Sequence, residues 1–110
     1  MSAEHWVTEH LTQCGWRIRA RNWRSRRGEI DIVADRNGQL RFVEVKARRT
    51  LEAGLRSIGQ RKRRALINAA ETYVARHYID CDEMGFMLAV VTIRMGKPVI
   101  TLFDHPFDGS

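Results

Sequence analysis

Three residues of this sequence have the types and spacing to do chemistry together: Asp31, Glu44 and Lys46. They sit on two short apolar stretches, 29–34 and 40–47, separated by Asp35-Arg36-Asn37-Gly38. Asn-Gly between apolar runs is a strong hairpin signal, because both residues accept the positive φ of a type I′ turn. A turn centred on Asn37-Gly38 pairs residues whose numbers sum to 75, so Asp31 faces Glu44 and Glu29 faces Lys46. Opposed residues of an antiparallel pair share a face, with Cβ atoms roughly 4.5–5.5 Å apart. Glu44 and Lys46, two apart, share that face as well. One patch of sheet then presents Asp31, Glu44 and Lys46, unless a one-residue bulge shifts the register.

Two carboxylates directly opposed destabilise a sheet. Here they also interrupt an apolar context of Ile30, Ile32, Phe42, Val43 and Val45. A local rule broken in this way marks a functional site. The pair suits a hard divalent cation with oxygen ligands, Mg²⁺ or Mn²⁺. Such an ion activates water and stabilises charge on a phosphoryl group. Lys46 could hold the attacking water or neutralise the developing charge. The plainer alternative is a solvated sheet face with a Glu29–Lys46 cross-strand ion pair, and the pattern alone does not separate the two.

The charge distribution bears on the partner. The chain carries a net charge of +6, spread unevenly. Arg17 to Arg64 holds 16 basic and 5 acidic residues, a net of +11, and the remainder is net −5. This skew points to a polyanion, most simply nucleic acid, with an anionic membrane surface supported by nothing else; DNA is the expected substrate rather than RNA, although the charge does not separate the two. The candidate contacts are Arg17, Arg19, Arg21, Arg24, Arg26, Arg27, Arg48, Arg61, Lys62, Arg63 and Arg64. A solvated basic face without a partner is the competing explanation.

The elements around the hairpin follow from periodicity. Ala3, Val7, Leu11 and Cys14 form the stripe of a helix over 3–14, with Ser2 as N-cap and Gly15 as stop. Glu4 falls about 60° from that stripe, at the margin of the buried face. Residues 16–23 alternate between Trp16, Ile18, Ala20 and Arg17, Arg19, Arg21, which predicts a strand. Residues 48–59 read as a loop and 61–77 as a helix with Leu66, Ala69, Ala70, Tyr73 and Val74 on one side. Arg61-Lys62-Arg63-Arg64 places positive charge against the dipole of that helix. Two final strands are expected at 86–93 and 99–103. The predicted order, α-β-β-β-α-β-β, describes an α/β or α+β fold with a mixed central sheet, in one domain over 1–110.

Several function classes lose support. Cys14 and Cys81 form no CxxC pair and are expected as reduced, partly buried thiols. The four histidines show neither HxxH nor HExxH spacing. Trp6, Trp16 and Trp23 could stack on bases, but their helix and strand positions favour packing. No apolar run approaches the roughly 20 residues of a membrane span. Residues 1–10 are polar and acidic, unlike a secretory signal, so a cytoplasmic protein is expected.

Gly28-Glu29-Ile30-Asp31-Ile32-Val33-Ala34 followed by Phe42-Val43-Glu44-Val45-Lys46-Ala47-Arg48 resembles the YraN-like family of small bacterial proteins. That family is placed in the PD-(D/E)xK, or restriction-endonuclease-like, superfamily. The resemblance extends to 11–23 and to Arg61-Lys62 with Leu66. It departs at Met87, where many relatives carry an acidic residue. The resemblance implies an αβββαβ core whose central hairpin bears the Asp and the ExK, here Asp31, Glu44 and Lys46. It further implies that an acid of the first helix, matched by Glu4, completes the metal site. The expected activity is a metal-dependent endonuclease, structure-selective rather than sequence-specific, with a homodimer compatible with two-strand cleavage. The alternatives are a non-catalytic nucleic-acid-binding module or subunit, and a protein-interaction adaptor.

Overall fold

A computed structural model of the chain describes residues 2–77 and 79–106. Met1, Tyr78 and residues 107–110, including both ends of the expected domain, lie outside the described part. The element order is α1 (Ala3–Gln13), β1 (Arg17–Ser25), β2 (Gly28–Arg36), β3 (Gln39–Ala47), α2 (Leu51–Arg56), α3 (Gln60–Arg76), β4 (Glu83–Arg94) and β5 (Lys97–Asp104). The strands form one sheet in the order β1-β2-β3-β4-β5. Only the β3–β4 pair is parallel. A parallel pair needs a crossover, which α2 and α3 supply. This is the mixed sheet flanked by helices of a restriction-endonuclease-like αβββαβ core.

The two faces of the sheet carry separate cores. Val7 and Leu11 of α1 pack on Ile32, Ala34, Val43, Met87, Ala89 and Val91. Met87 is thus an apolar packing position on the fourth strand. Leu66, Ala69, Ala70 and Tyr73 of α3 pack on Ile30, Val33, Leu40 and Phe42 on the opposite face. Beside them, Leu88 and Val90 are covered by Ile58, with Leu51 of α2 packed against them.

Several expectations are corrected. The 48–59 stretch is not all loop: Thr50 caps the short α2 by accepting the Ala53 N–H at 3.1 Å. Gly54 lets α2 lie flat on the sheet, since a Cβ there would meet the Val90 methyls at 2.6 Å. The single apolar face expected for β1 is broken by a register shift between Ile18 and Ala20. Ile18 therefore packs on the α1 side, while Ala20 and Trp23 pack on the α3 side. Trp16 precedes the strand and is buried, and Trp6 and Trp23 pack against the two cores. Cys14 is exposed rather than partly buried; Cys81 is half-buried, and both thiols are free.

A buried Arg41, 1% exposed, had no counterpart in the sequence reading. Its guanidinium donates to Asp104 at 2.7 Å and 3.1 Å, to the Leu40 carbonyl at 3.1 Å, and to Glu83. These partners lie at the β3 start, the β4 start and the β5 end, so the cluster ties three strands at the end of the sheet distant from Lys46.

The opposite end is fixed by Gly28, the first residue of β2. Its φ is +154°, and a Cβ there would stand 2.5 Å from the Ala65 carbonyl oxygen of α3. The helix therefore docks directly on the glycine backbone. Gly28→Ala is expected to destabilise the fold by about 2–3 kcal/mol, read as a lowered urea midpoint. An unchanged midpoint would show that α3 is not seated by this contact.

Candidate active site

The hairpin register is the one the turn dictates. Ile32↔Val43, Val33↔Phe42, Ala34↔Arg41, Asp35↔Leu40 and Arg36↔Gln39 all obey the expected sum. The ladder then stops, one step short of Asp31 and Glu44. Asp31 Oδ2 instead accepts the backbone N–H of Val45 at 2.8 Å. A side chain has replaced the ladder carbonyl, and the strands part at this rung. The neighbouring ladder is interrupted at the same place. Asn22, which would face Asp31, drops out of the β1–β2 register and has φ +50°, a left-handed conformation that asparagine tolerates better than most residues. The alternation of β2 breaks here too. Ile30 and Val33 pack toward α3, whereas Ile32 and Ala34 pack toward α1. Glu29 consequently does not pair with Lys46; it meets Arg24 of β1 at 3.3 Å.

Glu44 lies on the α3 side of β3, in register with Leu88 of β4. It is 3% exposed. Two ammonium groups approach its carboxylate: Lys46 Nζ at 3.8 Å from Oε1, and Lys62 Nζ at 3.6 Å from Oε2. Burial pushes the Glu44 carboxyl up to about 7, and the neighbouring Asp31 carboxylate pushes in the same direction. Lys62, and less strongly Lys46, oppose the shift. The structure thus brings Asp31, Glu44 and Lys46 together, as the spacing implied, and adds Lys62 from another element.

Glu4 is not gathered with the other two acids. It lies half-buried in the first turn of α1. Among the described residues no group of three or more His, Cys, Asp or Glu is placed to hold a metal ion. The pair that remains still fits one. Mg²⁺ commonly takes one or two carboxylates and completes its shell with water and substrate oxygens. A carboxylate as buried as Glu44, beside a second one, is stabilised by such an ion.

The basic residues divide by position. Arg27, Arg61 and Arg64 line a groove of about 390 Å³ with Gln60, Ala65 and Asn68, on the same helix end as Lys62. Arg24, Arg26 and Arg48 are exposed near this end of the sheet, and Arg63 is half-buried. Arg17 and Arg19 instead both bind Asp35, at 3.0 Å and 3.1 Å, toward the other end, and Arg21 is exposed in mid-strand. The sequence placed Lys62 among nucleic-acid contacts only. Its signal for the carboxylate site was the crowding of cations in a first helical turn that holds no acid.

The family model described as "Uncharacterised protein family UPF0102" matches residues 3–93, the hairpin, α3 and most of β4 included. The chain belongs to this family. It is 41% identical over 101 residues to a UPF0102 protein of Synechococcus sp. (strain JA-3-3Ab), covering 87% of this chain and 76% of that one. A UPF0102 protein of Trichlorobacter lovleyi is 37% identical over 109 residues, covering 96% and 86%. One of Bradyrhizobium diazoefficiens is 40% identical over 106 residues, covering 94% and 80%. UPF0102 membership carries the YraN-like resemblance of the hairpin over nearly the whole chain. No helix among the described residues is long and apolar enough to cross a membrane.

The raised Glu44 carboxyl has a consequence for stability. Between its ordinary value of 4.5 and about 7, the folded chain binds more protons than the unfolded one. Stability from this group is therefore complete below the lower value and lost as pH rises through the higher one. Glu44→Gln, which stays neutral, is expected to gain about 2–3 kcal/mol on the native chain between pH 5 and pH 8. Urea titrations in EDTA read this gain. A difference that stays constant with pH would show that Glu44 titrates normally.

Proposed function

We propose that this chain is a Mg²⁺- or Mn²⁺-dependent nuclease that hydrolyses phosphodiester bonds of DNA and selects substrates by structure rather than sequence. The observation that carries the reading is Glu44: a carboxylate 3% exposed, beside Asp31 and two lysines, at the basic end of the sheet. Burying this carboxylate next to a second one is costly, and a divalent ion with a phosphate substrate would relieve that cost.

Asp31 and Glu44 would hold the ion. When bound, it supplies a Lewis acid for a phosphoryl oxygen and a more acidic water. Lys46, on the same face as Glu44, is positioned to orient the attacking water or to neutralise charge on the phosphoryl oxygens. Hydrolysis adds water across one P–O ester bond: the water oxygen bonds to phosphorus, and the departing ester oxygen takes up a proton. Arg27, Arg61 and Arg64 would hold the backbone through phosphates, which gives affinity without sequence readout.

The decisive assay offers labelled linear, nicked, flap and four-way-junction DNA, single-stranded DNA and RNA, each with Mg²⁺, Mn²⁺ or EDTA. Cleavage is expected with metal and not with EDTA. Asp31→Ala and Glu44→Ala are each expected to lower the rate by at least about a thousandfold while sparing binding. Binding without cleavage in any metal would replace this reading with a non-catalytic nucleic-acid-binding module. Replacing Arg61 and Arg64 with Ala should lower the slope of log affinity against log salt by roughly 1–2. An unchanged slope would place the phosphates elsewhere.

A further inference from the structure

We infer that Lys62 is a second working cation of the carboxylate site, positioned from α3 to neutralise Glu44 before metal binds and to meet the substrate phosphate afterwards. The inference rests on the nuclease reading and adds a residue that the hairpin motif does not contain.

Four consecutive cations follow Gln60 at the start of α3, and its first turn holds no acid. Arg61 and Arg64 are exposed in the groove with Arg27. Lys62 turns the other way, is half-buried, and reaches Glu44 on the sheet. A cation at the third position of a helix opposes the dipole, where a Glu would normally be favoured. The buried carboxylate offsets that penalty.

The two lysines divide the carboxylate between them. Lys46 takes Oε1 and Lys62 takes Oε2, at 3.8 Å and 3.6 Å. Both distances exceed hydrogen-bond length. Each ammonium can therefore turn its donors to another oxygen without first breaking a hydrogen bond. Were Asp31 and Glu44 to hold a divalent ion, Lys46 and Lys62 would be repelled from the Glu44 carboxylate and free to donate to phosphoryl oxygens of a substrate. Lys46 approaches from the sheet and Lys62 from the helix, so the phosphate would be gripped from two sides.

Three variants test this: Lys62→Met, which keeps the stem and removes the charge, Lys62→Arg, and Arg64→Ala as a groove control. All are first checked for native thermal unfolding. The first readout is Mn²⁺ affinity by calorimetry at pH 8.5 without nucleic acid. Removing a repelling cation is expected to tighten Mn²⁺ binding by about tenfold in Lys62→Met. Unchanged or weaker binding would overturn the inference, since a residue that merely braces the site would loosen it when lost.

The second readout is single-turnover cleavage at saturating protein, beside DNA affinity measured with Ca²⁺. Lys62→Met is expected to slow cleavage by roughly a hundredfold with affinity changed less than threefold, and Lys62→Arg to recover at least a third of the rate. Arg64→Ala is expected to weaken DNA binding, the property that Lys62→Met leaves within threefold. A Lys62→Met protein that cuts normally, or that loses only affinity, would overturn the inference while leaving the nuclease reading intact. If the unaltered chain cuts nothing yet Lys62→Met tightens Mn²⁺, the nuclease reading falls and the cation role of Lys62 stands. Failure of both proteins to bind Mn²⁺ or to cut would overturn both.

Discussion

The hydrogen bond from the Val45 N–H to Asp31 Oδ2, 2.8 Å long, shapes the end of the sheet that carries the acidic pair. A backbone donor that would otherwise complete the hairpin ladder is satisfied by a side chain. This lets β2 and β3 part without leaving a buried N–H unpaired, which would cost about 1–3 kcal/mol. Glu44 stays on the sheet beside this break, 3% exposed. One carboxylate is thus both a structural acceptor and half of the acidic pair.

The elements around this opening cooperate to keep Glu44 dry and accompanied. Leu88 lies in register with it on β4, and Ile58 covers Leu88 and Val90. The chain from α2 then delivers α3 across the sheet, and Gly28 seats α3 close enough for Lys62 to reach down. At the far end, Arg41 binds Glu83 and Asp104. Asp35, Asp80 and Asp82 lie toward that end as well. The cations of the far end are thus largely paired with acids, Arg41 with Glu83 and Asp104, and Arg17 and Arg19 with Asp35.

Much of this was legible from residue types and spacing because it is local. Asn37-Gly38 fixed the hairpin register, and period two placed Glu44 and Lys46 on one face. The helix stripes of α1 and α3 followed from period 3.6. What escaped was either non-local or irregular. Arg41 finds its acidic partners 42 and 63 residues away, and no periodicity connects them. Lys62 meets Glu44 only through a crossover whose path depends on α2, and a six-residue helix gives little pattern to read. The bend at Asp31 contradicts the simple opposed-pair geometry, because the ladder ends one rung earlier than a regular hairpin would. Glu4 showed the limit of resemblance: its place in the first helix was matched, but the structure does not group it with the other two acids.

The turn at Asn37-Gly38 lies well away from the acidic pair, yet it is bound on both sides. The Gly38 carbonyl accepts the N–H groups of Asp82 and Glu83 at 2.7 Å and 3.1 Å, and a Cβ on Gly38 would strike the Asp82 carboxylate. The turn is thereby tied to the start of β4 as well as to its own hairpin. Because successive strand residues point to opposite faces, the number of residues in this turn acts as a reading frame for the whole of β3. One residue more or fewer would send Glu44 and Lys46 to the α1 side and bring Val43 and Val45 to face α3. The length of a distant turn is in this sense part of the site's chemistry.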